Sequence, residues 1–419
     1  MVHIWDKLDI EFSEPVRDPL WRNILLPASF SGIESSDDFI KLSRILQLGP
    51  AHLVYPGASH TRRAHSFGVF EMAKRIISAL ASRAGANSLI WSISRQEMLS
   101  YLVAALCHDL GHFPYTHSLK ELPLREHEEL TAAIMLGPLF EPVRKAGAEP
   151  ELAAAIVDEK RTCPKAFAPK VLDFFRSMLS GVLDPDKLDY LNRDAWACGV
   201  PYGVQDVDFT LQHLAMDSLD RLSISKRGIM SVEAVLFSKY QMYKAVYWHK
   251  NVRAATAMIK HALIESMAKG KVMPEELYGL DDNKFYELMT KREEHGLIKA
   301  VFSGKLYSLC YETVFDPDNT MHKKAESIEN RAEMELLLSK STGFGSLIID
   351  IPEPISFESN LPVLDSNRDF HSFSTAFGPD LVATFARSLR ILRIYCDGEP
   401  DKKATRNGLI TVFREMFGY

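Results

Sequence analysis

Two stretches of this chain are too apolar to form an outer wall. In HSFGVFEMAKRIISALASRA, Phe67, Phe70, Met72, Ala73, Ile76, Ile77 and Leu80 recur at mixed three- and four-residue spacings, and RQEMLSYLVAALC, Arg95 to Cys107, is similar. A surface helix needs only one apolar stripe. These helices must be enclosed by others, which predicts a mainly α protein with a packed helical core. The second helix stops at HDLGHFP, where Gly111 and Pro114 do not continue a helix comfortably.

Further helical segments are expected near 127–136, 149–158, 168–180, 186–195, 205–215 and 231–269. SSDDFIKLSRILQLG also has a helical period, with Ser36 or Asp37 as cap, Phe39, Leu42, Ile45 and Leu46 on one face, and Gly49 as its end. Residues 1 to about 30 read as short extended pieces, DIEF and NILLP flanking the turn-prone SEPVRDP. Near residue 270 the texture changes. KGKVMPEELYGLDD breaks a long helix, SLIIDIP and ILRIYC are β-prone, and NRAEMELLLSK and TRNGLITVFREMF are helical. The expected organisation is a helical core domain over 1–268 and a smaller α+β region over 269–419.

With 46% hydrophobic and 25% charged residues the chain has a globular composition. A net charge of −6 lacks the basic face that sequence-independent nucleic-acid binding needs, so no nucleic-acid partner is expected. No stretch approaches the roughly 20 apolar residues of a membrane span, and MVHIWDKLDIEF has no signal-peptide pattern. No membrane partner and a cytoplasmic location are therefore expected. The cysteines, Cys107, Cys163, Cys198, Cys310 and Cys396, are scattered and form no CxxC pair; they read as reduced thiols.

The chemistry gathers at the end of the second apolar helix. Adjacent helical residues diverge by about 100°, so the heads of His108 and Asp109 converge only on something between them, for which a metal ion is the obvious candidate. A partner ligand must come from another segment. SHTRRAHSFG offers His60 and His65, and GVLDPDKLDYLNRD offers Asp184, Asp186, Asp189 and Asp194. One histidine and one aspartate from these would complete a two-His, two-Asp site with open positions, suited to Mn, Fe, Zn or Ni. Arg62, Arg63, Lys187 and Arg193 interleave with the acidic and imidazole groups, as a phosphate chain beside a metal requires.

His65, His108-Asp109 and Asp186 follow the H…HD…D pattern of the HD-domain metal-dependent phosphohydrolases. Five ordered blocks, LSRILQLGPAHLVYPGASHTRRAHSFGV, HDLGHFPYTH, REHEE, DPDKLDYLNRD and YKAVYWHKNVRAA, resemble the dNTP triphosphohydrolase branch, over about residues 15 to 285. The resemblance implies an HD-domain helical core with a short N-terminal β segment. It implies His65, His108, Asp109 and Asp186 as ligands of a divalent transition metal, with Mg possible on the substrate phosphates. It places His112, His117, His127 and Glu128 as catalytic groups around the α-phosphate and its water. Arg62, Lys187 and Tyr190 match triphosphate contacts, Gln47 and Asp194 match contacts to the sugar 3′-hydroxyl, and Tyr247 matches the aromatic that packs on the deoxyribose. The implied reaction converts a deoxynucleoside triphosphate to deoxynucleoside and triphosphate, in a homo-oligomer, dimer or tetramer.

The chain departs from the pattern in several places. Lys239 stands where a phosphate-binding Arg is usual, keeping the charge without the bidentate fork. Tyr243 replaces a His, Lys120 an Asp, and Trp21-Arg22 a His and its neighbour. Lys41-Leu42-Ser43 loses an Arg that serves the nucleotide-activator site, so activation there is not expected. The other expectations compatible with the motifs are an HD-type nucleotide phosphatase or signalling-nucleotide hydrolase, and a non-catalytic nucleotide-binding regulator.

Overall fold

The computed structural model describes residues 3–343, 345–364, 366, 368–374, 377–398 and 411. The expected helix at TRNGLITVFREMF lies, apart from Thr411, outside the described residues. The fold is mainly α. Its axis is the Arg62–Arg83 helix, packed between the Pro185–Cys198 and Arg95–Cys107 helices. The latter packs in turn on the helices Pro150–Val157 and Pro169–Leu179. Every residue from Met98 to Cys107 is buried, which is why that stretch has no polar face.

Two glycines allow the close approaches that set up the site. A Cβ on Gly68 would collide with the Asp189 carboxylate, so glycine there lets the Pro185–Cys198 helix lie against the axis. A Cβ on Gly111 would collide with the His127 carbonyl, so glycine there seats the HDLGH turn on the His127–Leu136 helix.

Small sheets surround the helices. β1 (Glu14–Asp18) and β2 (Arg22–Leu26) form an antiparallel hairpin with Glu14 opposite Leu26. β3 (Leu214–Met216) and β4 (Leu222–Ile224) form a second. β5 (Ser308–Val314), β6 (Leu347–Asp350) and β7 (Ile391–Cys396) form an antiparallel sheet in the order β5-β7-β6. Arg253, on the Lys250–Ala268 helix, donates through Nε to Asp350 at the end of β6 at 2.8 Å, which ties this sheet to the helical core. Phe357, Leu361, Val363 and Phe370 join the main apolar cluster.

Several local expectations need correction. A one-turn helix, Ile4–Lys7, precedes the hairpin, held by Trp5 Nε1 donating to Ser78 Oγ at 2.8 Å. SEPVRDP is mostly strand rather than turn, because Pro15 sits in a two-stranded ribbon that does not need all its N–H groups. The segment after Ser36 is α-helical only over Asp37–Lys41, with a 3₁₀ turn over Leu42–Arg44, since Leu46 pairs with Thr61. The segment 205–215 is helical over Val207–His213 and turns into β3. The long helix of 231–269 is two, Ile229–Met242 and Lys250–Ala268, separated by a π-helical turn at Tyr243–Tyr247. Cys310 and Cys396 are not reduced thiols but a disulfide between β5 and β7, neighbours in the sheet despite a sequence separation of 86; Cys107, Cys163 and Cys198 are free.

Candidate functional site

One cleft of about 500 Å³ collects most of the candidate residues. His65, His108, Asp109, Asp186, Gln47, Arg62, His117, His127, Lys187, Tyr190, Asp194, Lys239 and Tyr247 all line it. His112 is fully buried behind the lining, its ring 4.0 Å from that of His127. Glu128 lies outside the lining with its carboxylate 3.1 Å from His127 Nδ1, which has no hydrogen-bond partner.

The four candidate ligands converge from three elements. His65 Nε2 lies 2.9 Å from Asp186 Oδ1, and His108 Nε2 lies 3.2 Å from Asp109 Oδ1 and 3.9 Å from Asp186 Oδ1. Each imidazole is oriented from behind: His65 Nδ1 donates to Asp189 Oδ2 at 2.8 Å, and His108 Nδ1 to the Ala105 carbonyl at 3.0 Å. Both Nε2 atoms are thereby left to face the centre, the arrangement by which a carboxylate or carbonyl fixes a metal-ligating histidine. His108 Nε2 is buried with no hydrogen-bond partner. Burial alone would depress the His65 pKa, but Asp186 and Asp189 outweigh it and push it to about 10. A buried orphan nitrogen at a point that draws positive charge fits a divalent cation.

The neighbouring elements supply further groups. Arg62 Nη1 donates to Asp109 Oδ2 at 2.6 Å, and buried Lys41 donates to the Leu110 carbonyl at 2.9 Å, pinning the His-Asp turn. Asp184 caps the Pro185–Cys198 helix by accepting from the Lys187 amide at 2.7 Å, and takes the Lys187 ammonium at 2.7 Å. His112 and His117 meet at 3.0 Å between their Nε2 atoms. Burial first, then the Arg62 charge, holds His112 well below the ordinary histidine range. His127 is likewise lowered, by burial and His117. His117 stands open to the cleft yet lies among enough protein that desolvation, with Arg62 and Lys120, lowers it to about 4. All three are therefore neutral at pH 7.

At the other end, Tyr247 donates to Asp194 Oδ2 at 2.6 Å, and His60 Nε2 meets Asp194 Oδ1 at 2.8 Å. Gln47 Oε1 is buried without a partner. The π turn brings Tyr243 and Tyr247 together with a ring separation of 5.0 Å, so both line the cleft. Two interleaved cations do not reach it. Arg63 lies 5.5 Å over the Phe39 and Phe67 rings, and Arg193 is buried in ion pairs with Asp18 and Asp189. Both serve packing.

Residues 62–161 match the HD domain and residues 206–389 the HD associated region. The chain contains an HD domain. Among its relatives is Uncharacterized protein YwfO of Bacillus subtilis, 34% identical over 230 residues, 54% of this chain and 49% of the relative. Another is the human Deoxynucleoside triphosphate triphosphohydrolase SAMHD1, 24% identical over 470 residues, 96% of this chain and 72% of that protein. The chain thus spans about half the length of several curated relatives it matches. A crystal structure of a phosphohydrolase from Bacteroides thetaiotaomicron shares the fold, with a TM-score of 0.70 at 22% identity over 92% of this chain and 100% of that one. The HD domain is a metal-dependent fold, and His65, His108 and Asp109 form a cluster able to hold an ion. Among the described residues no helix is long and apolar enough to cross a membrane.

Two residues offered as candidate ligands, His60 and Asp189, serve as supports instead, His60 against Asp194 and Asp189 behind His65. Asp189 stands three residues after Asp186 and four before Arg193, a spacing that places it behind the ligand on one helix. Lys41 behind Leu110 and Glu358 facing Lys187 carry no local signal.

Proposed function

We propose that this protein is a metal-dependent phosphohydrolase that cleaves deoxynucleoside triphosphates to deoxynucleoside and triphosphate. The observation that carries the reading is the meeting, in one cleft, of the His65, His108, Asp109 and Asp186 donors with Arg62, Lys187 and Lys239 on one side and the Asp194–Tyr247 pair on the other. The resemblance to dNTP triphosphohydrolases and the relation to human SAMHD1 support the substrate class.

His65 Nε2, His108 Nε2, Asp109 and Asp186 would hold the ion, Mn, Fe, Zn or Ni. When bound, such an ion polarises a phosphoryl oxygen and activates water. Arg62, Lys187 and Lys239 offset the charge of a phosphate chain. His117, neutral and open to the cleft, can take a proton or, once charged, return one to the leaving 5′-oxygen; His112, 3.0 Å away, sets its position, and His127 packs against both rings. Glu128 sets a carboxylate beside His127. Gln47 and Asp194 offer acceptors to a sugar hydroxyl, and the Tyr247 ring beside Tyr190 limits the room around the sugar.

Incubating the purified protein with each dNTP and Mn²⁺ is expected to give deoxynucleoside and inorganic triphosphate. No turnover with Mn, Fe, Zn or Ni would overturn the reading, and release of dNDP or orthophosphate would replace it with a stepwise phosphatase.

A further inference from the structure

Each of the three cations assigned to phosphate, Arg62, Lys187 and Lys239, has a carboxylate beside it. Arg62 pairs with Asp109 and Lys187 with Asp184, carboxylates fixed by a backbone turn and a helix cap. The third is different. Glu358 Oε2 lies 3.1 Å from Lys239 Nζ and 3.5 Å from Lys187 Nζ, bridging two lysines that come from separate helices. It is carried by the irregular segment that follows β6, which crosses the cleft and lines it with Ile351, Ile355, Ser356 and Glu358.

The segment is anchored at both ends. Asp350 grips Arg253 before it, Phe357 within it packs under Lys239, and Leu361 and Val363 after it enter the core. The carboxylate itself is not locked in the same way: its side chain is 44% exposed, against 4% for Asp184 and 6% for Asp109. Its non-lysine side-chain partner is the Ser356 hydroxyl, which donates at 2.8 Å. Burial would raise its pKa, yet Lys187 and Lys239 pull it down to about 2, so it is an anion at any physiological pH.

We infer that Glu358 is an internal competitor for the polyphosphate site: its carboxylate holds the place between Lys187 and Lys239 until a phosphate chain displaces it, so this one residue sets how strongly the site grips triphosphate. This rests on Lys187 and Lys239 being phosphate contacts, as the proposed function has them. Displacement needs only a rotation of the Glu358 side chain; the anchored segment stays. A phosphate chain then inherits two ammonium groups that are already mostly buried, and must outbid a carboxylate to do so. A half-exposed ion-pair cluster is worth on the order of 1 kcal/mol, or about a five-fold change in affinity.

The test is binding of inorganic triphosphate to the full-length, Mn-loaded protein by calorimetry, which needs no turnover. Glu358→Gln is expected to tighten the Kd about five-fold, and Glu358→Ala to act in the same direction. Glu353→Gln, which removes the same charge from the same segment, is expected to leave it within two-fold. An unchanged or weaker Kd in both Glu358 variants, or an equal gain in Glu353→Gln, overturns the inference. Absence of binding by all of these proteins overturns it together with the polyphosphate reading. A five-fold gain in a protein that hydrolyses no dNTP keeps the competitor and removes the hydrolase reading alone.

Discussion

Asp189 touches neither the cleft nor the ion position, yet Asp189→Asn is expected to disable the metal centre. The carboxylate is fully buried and accepts four hydrogen bonds. Oδ2 takes His65 Nδ1 at 2.8 Å and Arg193 Nε at 2.8 Å; Oδ1 takes Arg193 Nη2 at 2.9 Å and the Trp21 indole N–H. An amide has one acceptor oxygen, so two of these four donors must face an NH₂ group. If the oxygen stays toward His65, the Arg193 and Trp21 donors are orphaned. If it turns toward Trp21, the NH₂ faces His65 Nδ1 and drives the imidazole proton onto Nε2, the atom that should bind metal. Each orphaned buried donor costs about 1–3 kcal/mol. Arg193 keeps its pair with Asp18 at 2.7 Å, so the total loss of stability should be near 3 kcal/mol rather than that of a fully unpaired buried charge. Losing the carboxylate behind a ligating histidine typically weakens metal binding by about 10–100-fold. Urea unfolding measures the first effect, and Mn²⁺ titration of protein verified as folded by circular dichroism measures the second. A variant destabilised by about 3 kcal/mol that binds Mn²⁺ as tightly as the wild type would refute the claim that Asp189 acts through His65.

Two further outcomes follow from the geometry. His108→Ala should lose the metal after dialysis, whereas His117→Ala should retain it and lose about 10²–10⁴ in turnover, as read by elemental analysis beside a triphosphate-release assay; equal metal loss in both would contradict the division of roles. Glu335, which accepts from the Ile349 amide at 2.7 Å and lies 3.6 Å from His261 Nδ1, is pushed up to about 7 by burial. Because the folded state holds this proton more tightly than the unfolded one, its stabilising contribution is complete below about pH 4.5. It is lost as pH rises toward 7, a fall of about 3 kcal/mol. Glu335→Gln should lack that fall, and parallel pH profiles of urea midpoints for the two proteins would show the assignment to be wrong.

The elements most legible in the sequence are those whose apolar residues have a single possible destination. Met98 to Cys107 could only be interior, and its end at His108 follows from Gly111 and Pro114. That His65, His108-Asp109 and Asp186 come together is legible for a related reason: each sits at a helix boundary that the local sequence marks. What stayed hidden depends on contacts between distant segments. The break at Tyr243–Tyr247 has no proline or glycine to announce it, since the chain there satisfies its amides through a π turn. The Cys310–Cys396 bond required knowing that β5 and β7 are neighbours, and β5 has little alternation to betray it. Arg193 reads as a phosphate cation in the sequence because its partner Asp18 lies on the N-terminal hairpin, far away along the chain.

The proposed ion position does not belong to the HD domain match alone. Residues 62–161 hold His65, His108 and Asp109, but Asp186 comes from the Pro185–Cys198 helix. Lys239 and Tyr247 come from the associated region, as does the Glu358 segment that walls the cleft. An excised HD segment would therefore carry a half-built cage with the wrong charge, and grafting it elsewhere would transfer the motif without the chemistry. The smallest transferable piece of this protein is a chain that runs from the β1–β2 hairpin, which holds Arg193 and through it Asp189, to the segment bearing Glu358.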